Sequence, residues 1–333
     1  MRDILRGDAV DVAAVVDTVA HVAPDILLLT DFDWDHGLAA AGALADALRA
    51  GGQDYPYLFA LRPNTGMATG LDMDGDGRRG GPGDAQGFGW FAGQGGMLLL
   101  SRLPIEADKA RDFTGLPWAD FPGALLPEVD GAPYPSAGAV AAQRLSTAGH
   151  WDVPVVLPDG RRLHLLAFAA GTPVFDGPED RNGRRNHDEV AFWSMFLDGR
   201  LAQPPPDGPV TVLGNANLDP ADGEGLQQAI RDLLGHPRLQ DPAPRSTGGA
   251  DAAVAQGGAN AGQTGDPALD TADWSDDVAP GNLRVSYVLP DAALRVTGAG
   301  VFWPPSGDPM HALVAGEDAP RHRMVWVDLA LDP

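Results

Sequence analysis

The residues in this sequence best suited to chemistry stand next to short apolar runs. Asp31 follows the run 26–30, Asn215 and Asn217 follow 210–213, and His322 precedes 324–330. A carboxylate, two amides and an imidazole can hold a hard cation and a phosphoryl oxygen, the needs of metal-assisted phosphoester hydrolysis. The same residue types also serve as ordinary strand-end turn residues, and spacing alone leaves both readings open.

A second acidic motif is Asp72-Met73-Asp74-Gly75-Asp76-Gly77. Oxygen ligands at positions 1, 3 and 5 with Gly at 6 form the opening of a calcium loop. The carbonyl of Arg78 would be the seventh-position ligand. Position 12 is Gly83 rather than Glu, with Asp84 directly after it as the closing carboxylate. The expectation is a structural Ca²⁺ that orders the long excursion 62–95; the bland alternative is a solvated acidic turn.

Polar residues also concentrate over 178–189. Arg184 and Arg185 offer the positive charge a phosphate pocket needs, and His187 offers a proton. The same stretch also reads as a helix start capped by Asn186, with Glu189 closing a capping box. Phe88, Trp90 and Phe91 lie among glycines and suit either ligand stacking or core packing.

Elements must position these groups. A helix is expected over 8–22, with Val10, Ala13, Val16, Val19 and Ala20 on one face, and a second over 37–50 ending at Gly51-Gly52. Further helices are expected at 186–199 and 223–235. Apolar runs predict strands at 26–30, 55–61, 97–101, 139–145, 152–157, 162–169, 210–213, 283–289, 299–303 and 324–330. Pro158-Asp159-Gly160 reads as a hairpin turn. Residues 105–138 read as irregular, and 247–265 as a low-complexity surface loop. The alternation without a clear break predicts one mixed α/β domain over 1–333, sheets layered with outer helices.

Composition narrows the function classes. In 333 residues, 23 basic against 46 acidic side chains leave a net charge of −23. Such a surface repels phosphate backbones and anionic membranes, so tight nucleic-acid binding and membrane attachment are not expected. With no cysteine, thiolate metal sites and a Cys nucleophile are excluded. No apolar run approaches 18 residues, and Met1-Arg2-Asp3-Ile4 does not open a signal peptide. A monomer is expected.

Six segments together carry a family resemblance: PDILLLTDFDWD (24–35), GQGGMLLLSRLPI (93–105), PVFDGPEDRNGRRNHDE (173–189), LGNANLDP (213–220), GNLRVSYVLP (281–290) and RHRMVWVDL (321–329). In this order they resemble the endonuclease/exonuclease/phosphatase superfamily, which includes pancreatic-type deoxyribonucleases. The PNTG…DGDG…DAQGFG stretch resembles an insertion of a bacterial branch. The resemblance implies a four-layered α/β sandwich of two packed mixed sheets flanked by helices. It also implies phosphoester cleavage with a divalent cation, Mg²⁺ or Mn²⁺.

Carried over residue by residue, the resemblance puts the family's metal-binding Glu on Asp31, and its Gly-Asp-x-Asn on Gly214-Asn215-Ala216-Asn217. The closing Ser-Asp-His falls on Pro320-Arg321-His322, and a strand-end His falls near 168–170, where there is no imidazole. An Asp before Tyr287 is replaced by Ser286. The family's first strand, ending in an Asn, is expected to be missing. Asp31, Asn215, Asn217 and His322 are therefore the expected site residues, with Arg184, Arg185, His187 and Arg321 on the ligand. An amide at 215 takes no proton at neutral pH and Arg321 opposes a cation, so weakened or lost catalysis is expected. The alternative is a non-catalytic anion-binding or surface module on the same fold.

Overall fold

The computed structural model describes residues 2–6, 9–316 and 319–331. Its elements in chain order are α1 (Arg2–Arg6), α2 (Val10–Val22), β1 (Ile26–Phe32), α3 (Ala39–Ala50), β2 (Tyr57–Phe59), β3 (Gly96–Ser101), β4 (Arg111–Asp112), β5 (Glu128–Val129), β6 (Ala132–Pro133), α4 (Ala137–Ala142), β7 (Gly149–Val156), β8 (Arg162–Ala169), α5 (Arg181–Leu197), β9 (Val210–Asn215), α6 (Gln228–Leu234), α7 (Thr247–Gln256), β10 (Ser286–Pro290), β11 (Arg295–Val301) and β12 (Val325–Ala330). Asp8, the first residue of the helix expected at 8–22, lies outside the described residues.

Strand β3 shows why the chain layers. Met97 and Leu99 point into one apolar cluster, while Leu98 and Leu100 point into another. A strand covered on both faces is apolar throughout rather than alternating. The first cluster joins the sheet β1-β3-β2 to the sheet β10-β9-β8-β7-β4 through Trp151, Val153 and Leu165. The second packs α2 and α3 on the outside through Val19, Leu44 and Leu48. On the far face of the larger sheet, Leu166, Phe168 and Val212 meet Phe192, Trp193 and Phe196 of α5 and Ile230 of α6. The result is four layers, helix–sheet–sheet–helix, as expected. Among the described residues β1 is an edge strand of the first sheet, paired with β3, and β11 and β12 form a separate two-stranded sheet.

Three local expectations are corrected. Residues 137–142 form a helix, not a strand: Ser136 Oγ accepts the Ala139 N–H at 3.1 Å and caps it. The small apolar residues there fit either state, and the cap decides. Over 247–265 the chain is not a plain loop but contains α7, capped by Ser246 accepting from Gly249 at 3.1 Å. Its small residues serve packing: a side chain at Gly248 would strike the Trp303 carbonyl and Pro304. Helix α5 begins at Arg181 rather than 186, so Asn186 is inside the helix and buried, and caps nothing. Asn186 instead donates to the carbonyls of Gly171 at 2.7 Å and Ala216 at 2.8 Å.

The excursion 62–95 is folded. Buried Asn64 donates to the carbonyls of Thr114 at 2.8 Å and Ser146 at 2.7 Å and accepts from Arg144 at 2.8 Å. Gly66 lies so close to the Phe91 carbonyl that no Cβ fits there.

Candidate functional site

Asp31 owes its position to a bulge. The β1–β3 ladder pairs Thr30 with Met97 and Phe32 with Gly96, leaving Asp31 as the extra residue, at φ 57°. Bulges re-aim a side chain at a strand end. Its carboxylate is open to a cavity, yet the surrounding protein desolvates it, and this, with Asp33 nearby, raises its pKa. The neighbouring acids are engaged locally. Asp33 accepts the Gly95 N–H at 3.1 Å, and Asp35 accepts those of Ala39 at 2.9 Å and Ala40 at 3.1 Å at the start of α3.

Asn215 ends β9, between Ala169 of β8 and Ser286 of β10. Gly214 before it lies against the Phe168 carbonyl, at a φ of 147° that suits glycine. The two amides lock each other: Asn217 N–H donates to Asn215 Oδ1 at 2.9 Å, and Asn215 Nδ2 to Asn217 Oδ1 at 3.1 Å. Asn217 Nδ2 then donates to the Ala170 carbonyl at 2.8 Å. Asp219 fixes the following turn, accepting from Ala221, Asp222 and Arg284 at 2.7–2.8 Å.

His322 bridges to Ala272 through the backbone, with Trp274 edge-on at 5.5 Å. Burial, then the charge of Arg323, pushes its pKa down to about 4, so the imidazole is neutral at pH 7. Its buried Nδ1 has no hydrogen-bond partner among the described residues.

Asp31, Asn215, Asn217 and His322 all line one cavity of about 1480 Å³. Of the expected ligand-binding residues, Arg321 and Arg185 line it, and Arg184 and His187 do not. Arg184 Nε is held by the Glu179 carbonyl at 3.1 Å, and His187 Nδ1 by Asp188 at 2.9 Å. Arg185 is buried, donating to the carbonyls of Leu145, Gln86 and Ser146 at 2.7–2.9 Å. That ties its guanidinium to the protein and makes it a poor ligand clamp. Helical spacing brings Arg181 and Asn182 of α5 to the cavity instead.

Glu189 also lines the cavity and was not singled out for it by the sequence, because its partners are distant in the chain. It accepts the Thr147 N–H, the Thr147 hydroxyl at 3.1 Å and the Gly171 N–H at 2.8 Å. Complete burial raises its pKa to about 7, against the opposing pull of Arg185 and these donors.

The acidic loop forms a separate cluster. Ligand atoms of Asp72, Asp74 and Asp84 lie within 4.8 Å of one another, and no other trio of acids or histidines does so among the described residues. Asp76, expected as a ligand, is outside this trio and accepts the Arg78 N–H at 2.7 Å. Gly83 at position 12 leaves space that Asp74 fills. Of the four expected site residues, by contrast, only Asp31 is a carboxylate, beside two amides and a histidine, and the nearby acids Asp33, Glu189 and Asp219 are engaged by backbone N–H groups; the four alone are a poor fit for the oxygen-rich anionic shell that Mg²⁺ favours.

Comparison with known proteins agrees with this architecture. No curated protein matches the chain in sequence. An endonuclease/exonuclease/phosphatase from Beutenbergia cavernae superposes with TM-score 0.55 at 16% identity, over 97% of this chain and 66% of that one. The chain thus spans just under two thirds of that relative. A family protein from Leptotrichia buccalis superposes with TM-score 0.53 at 14% identity, over 96% of this chain and 93% of that one. The family model described as Endonuclease/Exonuclease/phosphatase family matches residues 5–320, and the chain belongs to that family.

Proposed function

We propose that the cavity binds a phosphate ester and that hydrolysis there is weak or lost. Family membership supports a metal-dependent phosphoesterase type. The observation that carries the proposal is the meeting of Asp31, Asn215, Asn217 and His322 in one cavity with Arg321. Asp31 is the one carboxylate of this set that would hold a divalent cation. Asn215 and Asn217 present oriented amides to a phosphoryl oxygen, and neutral His322 offers an acceptor for a proton. Arg321 favours the anion and opposes the cation.

The test is a phosphodiester panel with Mg²⁺, Mn²⁺ and Ca²⁺, comparing the protein with Asp31→Ala and His322→Ala. Little turnover, with calorimetric binding of a phosphate monoester that Arg321→Ala weakens, is the expected result. Robust turnover abolished by both site substitutions would overturn the weakened-site reading. Binding with no turnover under any ion would favour the second reading, a non-catalytic anion-binding module; Arg181 and Arg321 on the cavity wall are what recommend it.

We also propose that the Asp72–Asp74–Asp84 cluster takes Ca²⁺ in a structural role. Hard oxygen ligands in a loop turning through Gly75 and Gly77, both at positive φ, support it. Asp72 and Asp84 are already oriented by backbone N–H groups: Gly75 and Gly77 on Asp72, Met73 and Gly81 on Asp84.

A further inference from the structure

We infer that the aromatic rim of the cavity docks on a zwitterionic lipid surface. Phe88 and Phe175 are exposed residues lining the cavity, Trp90 packs beside Phe88, and Phe91 adjoins Trp90 in the chain. Their exposures, in that order, are 64, 91, 75 and 51%. Phe88 and Phe175 come from distant parts of the sequence and line the same cavity. Trp90 stands edge-on to Phe88, ring centroids 6.5 Å apart. These are not core residues, which removes the packing explanation for Phe88, Trp90 and Phe91.

Single exposed apolar side chains are common, but large exposed rings brought to one cavity from two separate segments mark a contact surface. Phe175 reinforces this: its backbone sits at φ 72°, a left-handed conformation unfavourable for a non-glycine residue, and its ring gains almost no burial in return.

Charge selects the surface. The net charge of −23 and the acids Asp74, Asp176 and Glu179 on the cavity wall repel nucleic acid and anionic lipid alike. A phosphocholine surface has no net field to repel them, and Trp and Phe settle at the interfacial depth of a bilayer without cationic help. The expectation of no membrane attachment rests on the net negative charge, and a zwitterionic surface carries no net charge on which that repulsion acts. Only the further step, that docking brings a headgroup phosphodiester to Asp31, rests on the proposed function; vesicle binding tests the rim without any turnover.

The experiment is cosedimentation of the full chain with phosphatidylcholine vesicles in EGTA, beside Trp90→Ala, Phe175→Ala and the double variant. The rings are exposed, so unchanged melting temperatures should accompany these substitutions. The expected result is partition of the unaltered protein into the pellet, falling roughly tenfold for each ring removed. It should be indifferent to added NaCl and weakened when phosphatidylserine replaces part of the phosphatidylcholine. Protein that stays in the supernatant overturns the inference. So does a double variant that partitions equally, or binding that phosphatidylserine strengthens.

Discussion

Glu189 accepts the Gly171 backbone N–H at 2.8 Å, tying the middle of α5 to the segment that leaves β8. The same carboxylate takes the N–H and hydroxyl of Thr147, just before β7. One buried side chain thus fixes two backbone segments on the cavity wall. Glu189→Gln keeps size and removes charge, but its amide nitrogen must then face a Thr147 or Gly171 N–H. A mismatched buried donor costs about 1–3 kcal/mol. Urea unfolding should show a loss in that range; an unchanged midpoint would mean that the two amides find other partners.

Asp270 is another buried acid whose carboxyl the surroundings hold protonated. One of its oxygens has no partner, and burial, then Asp219, Asp222 and Asp266, raises its pKa to about 8. Between the ordinary carboxylate range and pH 8, the folded chain holds a proton here that the unfolded chain releases. Stability contributed by this group is therefore full in acid and declines as pH rises toward 8. Asp270→Asn should flatten that decline and raise stability at pH 8 by on the order of 1–3 kcal/mol. Melting curves at pH 5 and 8 with the same slope in both proteins would contradict this.

For the acidic loop the informative substitution is Asp74→Ala. Asp72 and Asp84 also brace the loop through backbone N–H groups, whereas Asp74 accepts only the Asp76 N–H, at 3.2 Å. Removing Asp74 therefore takes away a ligand with little damage to the loop. Calorimetric titration should show Ca²⁺ binding with Kd on the order of 10⁻⁴ M, given the missing bidentate Glu, lost in the variant. At a hundredfold excess over Kd the ion should stabilise the fold by about 2.7 kcal/mol. No heat and no thermal shift would leave a solvated turn.

Much of the architecture was legible because strands buried on both faces announce themselves as continuous apolar runs. The runs at 26–30, 97–101 and 162–169 all became strands. The strand expected over 139–145 gives way to α4 and the loop expected over 247–265 contains α7, because alanine and glycine carry no periodic signal; a serine cap and a close backbone approach fix these helices. Asp31 stands out in the sequence because it directly follows the apolar run 26–30, but its place as a bulge within β1 depends on pairing with β3. The polar run 178–189 is legible as a cluster but not in its orientation. Only the α5 register separates Arg181 and Asn182, on the cavity, from Arg184 and His187, off it. Glu189 stayed hidden since both of its partners come from other elements.

The charge balance around Asp31 leads to a prediction about catalysis. Asn215 stands opposite Ser286 across the β9–β10 ladder, so neither strand brings a carboxylate to that register. Asn215→Asp would restore a proton acceptor there while still accepting the Asn217 N–H; it would lose the donor now given to Asn217 Oδ1. Arg321→Asp would remove an exposed cation from the wall and add an anion in its place. Together the two changes put carboxylates at two of the family-site positions that now carry an amide and a guanidinium, beside Asp31 on the same cavity, and remove the charge of Arg321. Cation occupancy should rise, since one change adds negative charge to the cavity wall and the other replaces positive charge with negative. The double variant should therefore gain Mg²⁺-dependent phosphodiesterase activity of at least tenfold over the unaltered chain, and Asp31→Ala in that background should abolish it. The absence of an imidazole at Ala169 and Ala170 sets a ceiling on the gain, since a positioned general acid or base typically contributes about 10²–10⁴-fold. A double variant that binds Mg²⁺ by calorimetry yet remains inactive would assign the deficit to that missing group. One that neither binds Mg²⁺ nor turns over substrate would show that charge balance at Asp31 is not what limits the site.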